Sequence, residues 1–397
     1  MSQAIPHRIG LYLAAVQFFF ALSWTVYVIF LPALAAQAGI PAGAVIYILL
    51  LDQLIFAGMD FAMGTMADRV ARAVGRLGYA ILGVTLFSCL AFLLLPYAAP
   101  QGSAWLFLVL TVLWSASSSA LRAPPLMLLG KYAARPAIPW LTSLTLFGLG
   151  VASAVSPYLS VVLRETDPRL PFALSSVALA AATLGIVWVE RNLARTSTAA
   201  AAAINTAAKP AQPVVWFLVA VVLLGLAYQI HFSLNSAPLY LRYAKPAELP
   251  YLMPVFWVGF SLLMLPASVA TRRFGGLAVM GAGGVTAALA SLGAFHAGSL
   301  DMLVATQFIA GGAWGCVLMS AVAAALAIGH TGREGKVTGA LFSLLALAAF
   351  ARIAIIAAEL NKDPQFSALV GWVPTAGWAL AGLVLLLLLP GQRRLLG

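Results

Sequence analysis

The chain has 397 residues, 63% of them hydrophobic and only 8% charged. A water-facing surface needs roughly a quarter of its residues charged, so this composition excludes soluble domains and leaves lipid as the solvent. The net charge of +11 would suit a nucleic-acid partner only if it were gathered on one face, and its spread along the chain argues for a different role.

A helix crossing the roughly 30 Å hydrocarbon layer needs about 20 apolar residues. Such runs, broken at Gly, Pro and charge clusters, predict twelve membrane helices at 9–36, 43–66, 76–97, 103–131, 137–163, 170–189, 214–241, 249–271, 276–297, 300–328, 336–359 and 367–389. The first presents Gln17, Trp24 and Tyr27. Ala33 to Ala36 has the look of a signal-peptidase site, but the apolar stretch before it far exceeds the about 7–15 residues of a signal core. It is therefore expected to stay as an uncleaved helix. The second carries Asp52 and Asp60 and runs into Gly64-Thr-Met-Ala-Asp68-Arg69-Val-Ala-Arg72. In the fourth, Ser115, Ser118 and Arg122 follow at i, i+3 and i+7, one polar stripe on a helix.

After the sixth helix, Glu190 to Pro213 is polar, basic and rich in Ala and Thr, which predicts a flexible linker. It divides the chain into an N-terminal unit (1–189), the linker (190–213) and a C-terminal unit (214–397). The seventh helix repeats the polar spacing with Tyr228, His231 and Asn235, the tenth carries Gln307 and Trp314, and the eleventh Arg352. Weak internal echoes join the halves: Ser268 to Gly276 follows helix 8 as Gly64 to Arg72 follows helix 2, and Gln307 with Trp314 repeats the seven-residue spacing of Gln17 with Trp24. Cys89 and Cys316 fall in helices of different halves with no metal-ligand spacing, so neither disulfide, metal nor cofactor is expected.

With the N-terminus inside, 15 of the 22 basic residues lie in cytoplasmic segments, 5 outside, and Arg122 and Arg352 within helices. That bias sets orientation, with both termini cytoplasmic, and removes the nucleic-acid reading.

Gly64 would allow close helix approach, and Asp68 could accept hydrogen bonds from a neighbouring helix N-terminus. Together with Arg69 and Arg72, these residues resemble the signature of the major facilitator superfamily between its second and third helices, with Ala71 where the family has a second Gly. The resemblance implies an all-α membrane fold of two six-helix bundles and transport by alternating access. It also implies a cytoplasmic latch at this motif against helix 11, and a central cavity lined by helices 1, 4, 7 and 10. Two other family motifs are degraded. The Arg of helix 4 is displaced to Arg122, and in helix 5 small residues (Ala152, Ser156-Pro157, Ser160) replace the glycines of the drug-proton antiporters.

Ionisable side chains at membrane depth are functional candidates by default. From the helical rise, Asp60 and Arg122 lie at similar depths and could meet, as a structural pair or a proton-coupling one. Asp52 and Arg352 are expected to pair across the two bundles when the outside is closed. The alternative is Asp52 facing water, with Arg352 reaching towards Glu359. The polar stripes nominate Gln17, Trp24, Tyr27, Ser115, Ser118, Arg122, Tyr228, His231, Asn235, Gln307 and Trp314 as a substrate site, since lipid cannot satisfy them. Arg122 could hold a carboxylate or phosphate, unless Asp60 neutralises it.

No P-loop, HExxH or Gly-x-Ser-x-Gly element occurs, so an ATP-driven pump or an enzyme is not expected. The expected function is secondary, proton-coupled transport of a small organic solute, with a lean to anions or zwitterions, by a monomer in a bacterial inner membrane. The alternatives are proton-driven efflux of amphipathic compounds, and a channel or lipid scramblase.

Overall fold

The computed structural model describes residues 7–70, 76–133, 135–197, 214–329 and 332–393, and all regular structure among them is helical. Twelve helices are long and apolar enough to cross a membrane. They are α1 (His7–Gln37), α2 (Ala42–Val70), α3 (Leu77–Gln101), α4 (Ala104–Tyr132), α5 (Ile138–Val162), α6 (Arg169–Ala194), α7 (Val214–Tyr240), α8 (Pro246–Phe274), α9 (Gly276–Phe295), α10 (Leu300–Ile328), α11 (Glu334–Ala357) and α12 (Pro364–Leu387).

In the first half, α1 packs on α5 and α6, and α3 on α4 and α6. In the second, α8 and α9 pack on α10, and α12 on α7 and α9. The halves meet chiefly along two helix pairs, α2 with α11 and α5 with α8, with smaller contacts of α4 and α5 on α10 and of α4 on α11. Without a hydrophobic force between helices in lipid, such contacts rest on close van der Waals approach, which small residues permit. At Gly148 of α5 an added Cβ would stand 1.9 Å from the Ala14 carbonyl oxygen, so α1 and α5 touch backbone to backbone.

Two irregularities position polar groups. Helix α4 is broken: a short 3-10 turn at Ser119–Leu121 precedes a second helical piece starting at Pro124. The Pro124-Pro125 pair suits a helix start, where missing N–H groups cost nothing, and forbids an unbroken ladder through Arg122. In α7, His231–Asn235 forms a π-helical turn, closed by the Ser236 hydroxyl donating to the His231 carbonyl at 2.9 Å.

Helical structure continues from Ile186 to Ser197, so the first residues of the expected linker are helical, while 198–213 lie outside the described residues. Glu190 is fully buried there. Its carboxylate accepts from the Gly78 amide at the start of α3 (2.7 Å) and from the Tyr132 hydroxyl at the end of α4 (3.1 Å). One side chain thus ties α3, α4 and α6 together, and its charge complements the N-terminal dipole of α3. Glu190→Ala would strand both donors, and the cost is expected to be about 2–3 kcal/mol, read as a lowered unfolding midpoint in detergent.

Candidate functional site

The interface between the halves is sealed at the end of the bundle that carries Asp68, here termed the motif end. Asp68 accepts from the Gly335 amide (2.7 Å) and the Lys336 amide (2.8 Å), the first turn of α11. Added Cβ atoms at Gly64, Gly335 and Gly339 would lie 2.1, 2.2 and 2.5 Å from the carbonyl oxygens of Gly335, Gly64 and Asp60 respectively. Further along, the Ser343 hydroxyl donates to the Ala57 carbonyl. From Ala57 to Asp68, roughly 17 Å of helix, α2 and α11 are therefore in continuous contact, backbone to backbone between Asp60–Gly64 and Gly335–Gly339. Arg69 is exposed, and Arg72 lies outside the described residues. Asp68→Ala should weaken this seal by about 2 kcal/mol, roughly thirtyfold in the closed-to-open equilibrium of the motif end. Distances between spin labels on the two halves at that end would read the shift.

Immediately inside the seal lies an ion pair. Arg122, placed by the break in α4, brings Nη1 to 3.0 Å from Asp60 Oδ2, with Asp60 fully buried and the Arg122 side chain 19% exposed. The Ser119 hydroxyl, in the same break of α4, also lies against the Asp60 carboxylate. The guanidinium also lies 4.9 Å from the ring centre of Phe56 on α2 and 5.6 Å from that of Phe342 on α11, within cation–π range of both. Arg122 thereby touches both halves.

Asp52 lies further from the motif end than Asp60 and within the first half. It is fully buried and accepts from the Tyr27 hydroxyl (2.8 Å) and the Ser115 hydroxyl (2.5 Å), joining α1, α2 and α4 within the first half. Here, with the motif end closed, both Asp52 oxygens are engaged inside their own half; the expected pair with Arg352 belongs to the state closed at the opposite end. Gln17 donates to the Leu121 carbonyl (2.7 Å), which the break in α4 frees, and Ser118 donates to the Ser115 carbonyl (2.9 Å).

The second half has its own buried network. His231 contacts Gln307 on α10 (3.1 Å) and Ser291 on α9 (3.3 Å), while Thr375 on α12 donates to Ser291 (3.3 Å). Asn235 donates to the Val370 carbonyl on α12 (3.1 Å). The stripe expected to face one cavity is thus divided. Tyr228 stays half-buried and stacks on Trp314 at 4.4 Å with 4° between planes, whereas His231 points into the bundle. A matching stack in the first half joins Trp24 to Trp114 at 5.9 Å and 15°. Each half therefore carries a ring pair between its first and fourth helices, a repeat relation different from the Gln17/Trp24 and Gln307/Trp314 echo.

Of the eleven residues nominated for binding, Trp24, Arg122, Tyr228 and Asn235 stay partly exposed. Gln17, Tyr27, Ser115, Ser118, His231, Gln307 and Trp314 are buried against protein partners within one half. Sequence reasoning missed Glu190, Phe56, Phe342 and the Gly335/Gly339 pair. The last was open to it, since Gly-Lys-Val-Thr-Gly is a small-xxx-small motif.

The profile of the Major Facilitator Superfamily matches residues 13–352. The chain belongs to this superfamily. It is accordingly a multi-pass integral membrane protein with a transporter fold. No curated protein matches it by sequence. Among solved structures, it is similar to the human organic anion transporter MFSD10, at 14% identity over 96% of this chain and 100% of that one, with a TM-score of 0.74. A bacterial homologue of the iron transporter ferroportin, in an outward-facing state, aligns at 15% identity over 96% and 98% with a TM-score of 0.71. The E. coli fucose:proton symporter FucP aligns at 14% over 96% and 98% with a TM-score of 0.65. At these identities the likeness is one of fold.

Proposed function

We propose that this superfamily member is a proton-coupled secondary transporter that moves a small organic anion or zwitterion by alternating access. The observation that carries the reading is the Asp60–Arg122 pair, buried between the halves directly inside the α2–α11 seal. When Asp60 is ionised, it neutralises Arg122. When a proton takes its charge, Arg122 is released as a cation facing both halves, able to hold a carboxylate through paired hydrogen bonds. Proton binding and anion binding are then the same event seen from two residues, which is the requirement for coupling. Similarity to an organic anion transporter and to a proton symporter supports this reading.

The two bundles, 1–189 and 214–397, rock about the α2–α11 and α5–α8 contacts. The positive-inside bias orients the motif end and both termini to the cytoplasm, so the seal described above closes the inner side. The short connections suit a monomer in a bacterial inner membrane. A second reading, proton-driven efflux of amphipathic compounds, draws on the aromatic rings of both halves, Trp24 with Phe56 and Tyr228 with Phe232 and Trp257.

Reconstitution into proteoliposomes tests both. An inward proton gradient should drive accumulation of organic anions above the outside concentration, and a protonophore should abolish it. Equilibration without accumulation would mean a channel. Proton-driven extrusion of amphipathic compounds, with no anion uptake, would establish the second reading instead.

A further inference from the structure

Arg352 of α11 is a membrane-depth cation whose counter-charge the chain does not supply. All eleven Asp and Glu residues lie within the described residues, and none forms an ion pair with it. The two carboxylates that the sequence offers it are taken. Asp52 is held by Tyr27 and Ser115, and Glu359 pairs with Lys362 at 2.8 Å. Arg352 is half-buried, and its Nε is fully enclosed with no acceptor among the described residues. A guanidinium in that setting is costly unless an anion completes it.

Its surroundings suggest what the anion is attached to. Arg352 lies on α11, which packs against α7, and Tyr228 of α7 stacks on Trp314 and Phe232 and meets Trp257 edge-on. The site thus joins one unneutralised cation to a wall of rings. Arg352 lies ten residues beyond Phe342 on α11, roughly 15 Å further from the motif end than the Arg122 contact. Two cations therefore stand at different depths beside α11, Arg122 of α4 neutralised by Asp60 and Arg352 of α11 itself unpaired.

We propose that Arg352, with Tyr228 beside it, anchors the carboxylate of an aromatic or otherwise apolar organic monoanion arriving from the end opposite the motif. This rests on the transporter reading above and names its outer substrate contact: Arg352 holds the oxyanion, and the Tyr228, Phe232 and Trp257 rings take the apolar body. Arg122 then receives the same carboxylate when Asp60 is protonated. The phosphate of a lipid headgroup shares the oxyanion chemistry, so the test carries a lipid arm.

The purified full chain is titrated with benzoate, with neutral benzamide and with short-chain phosphatidylglycerol, reading the unfolding midpoint and tryptophan fluorescence. Benzoate should bind saturably and benzamide should not. Arg352→Gln should weaken benzoate at least about tenfold, and Arg352→Lys, which keeps the charge but loses the fork, by a smaller factor. The Lys variant keeps the question answerable if the Gln variant fails to fold, because unchanged benzoate affinity in it would count against a guanidinium contact. Benzoate affinity that survives Arg352→Gln overturns the proposal, as does a wild type that ignores benzoate. Arg352-dependent binding of the lipid alone would give the residue to the bilayer. Arg352-dependent benzoate binding without proton-driven uptake would sink the transport reading and leave the site standing.

Discussion

Replacing Gly64 with leucine is expected to force the motif end open and abolish concentrative transport. The first added carbon would already stand 2.1 Å from the Gly335 oxygen, 2.9 Å from its carbonyl carbon and 3.1 Å from Gly339 Cα. All three are backbone atoms, so no side-chain rotation relieves the overlap and the helices themselves must separate. Separation draws the Gly335 and Lys336 amides away from Asp68, removing two charge-assisted hydrogen bonds as well. Together these should favour the open motif end by at least about 3 kcal/mol, more than a hundredfold in population. In a protein with Cys89 and Cys316 replaced, the labelling rate of Ser343→Cys by a thiol reagent added at the motif end would report the opening. Gly58→Ala, where nothing lies within 4 Å, is the silent control on the same helix. Normal protection of the Ser343 site in Gly64→Leu would show that the backbone contact does not hold the seal.

Asp60→Asn should uncouple the protein from the proton gradient. The substitution keeps the shape of the side chain and removes its titratable charge, leaving Arg122 with only the Phe56 and Phe342 rings. Removing one partner of a buried pair strands the other, at a cost on the order of 3 kcal/mol, and the unfolding midpoint should fall accordingly. Adding Arg122→Gln removes the stranded charge, so the double variant should be more stable than Asp60→Asn alone, the signature of a coupled pair. Functionally, Asp60→Asn should retain exchange of labelled for unlabelled solute and lose accumulation driven by a pH gradient. Retained pH-driven accumulation would exclude Asp60 as the proton site and leave the pair a purely structural one.

The spans were legible because a helix in lipid must be long and apolar throughout, a demand the composition meets segment by segment. Ile138–Val162, Val214–Tyr240 and Leu300–Ile328 fall within a residue of their expected limits. Glu190 was misplaced into a linker because its charge stands at the border of polar sequence. Its burial depends on where the α3 N-terminus and Tyr132 come to rest, which no local pattern shows. Likewise the depth of Asp52 along α2 was computable, but its rotation towards Tyr27 and Ser115 was not. The polar spacing of Tyr228, His231 and Asn235 assumed an unbroken 3.6-residue period. The π turn breaks that period between His231 and Asn235, so His231 serves the bundle interior while Asn235 is turned to a contact with α12.

That wide turn has a consequence for motion. Across His231–Asn235 the chain has one residue in surplus over an α-helix of the same span. Passing the surplus along α7 leaves the number of backbone hydrogen bonds nearly unchanged, yet it turns the part carrying Tyr228 by about 100° relative to the part beyond Asn235. Helix α7 can thus change which side chain it shows to Arg352 by a one-residue slip of register, without tilting and without the two halves having moved.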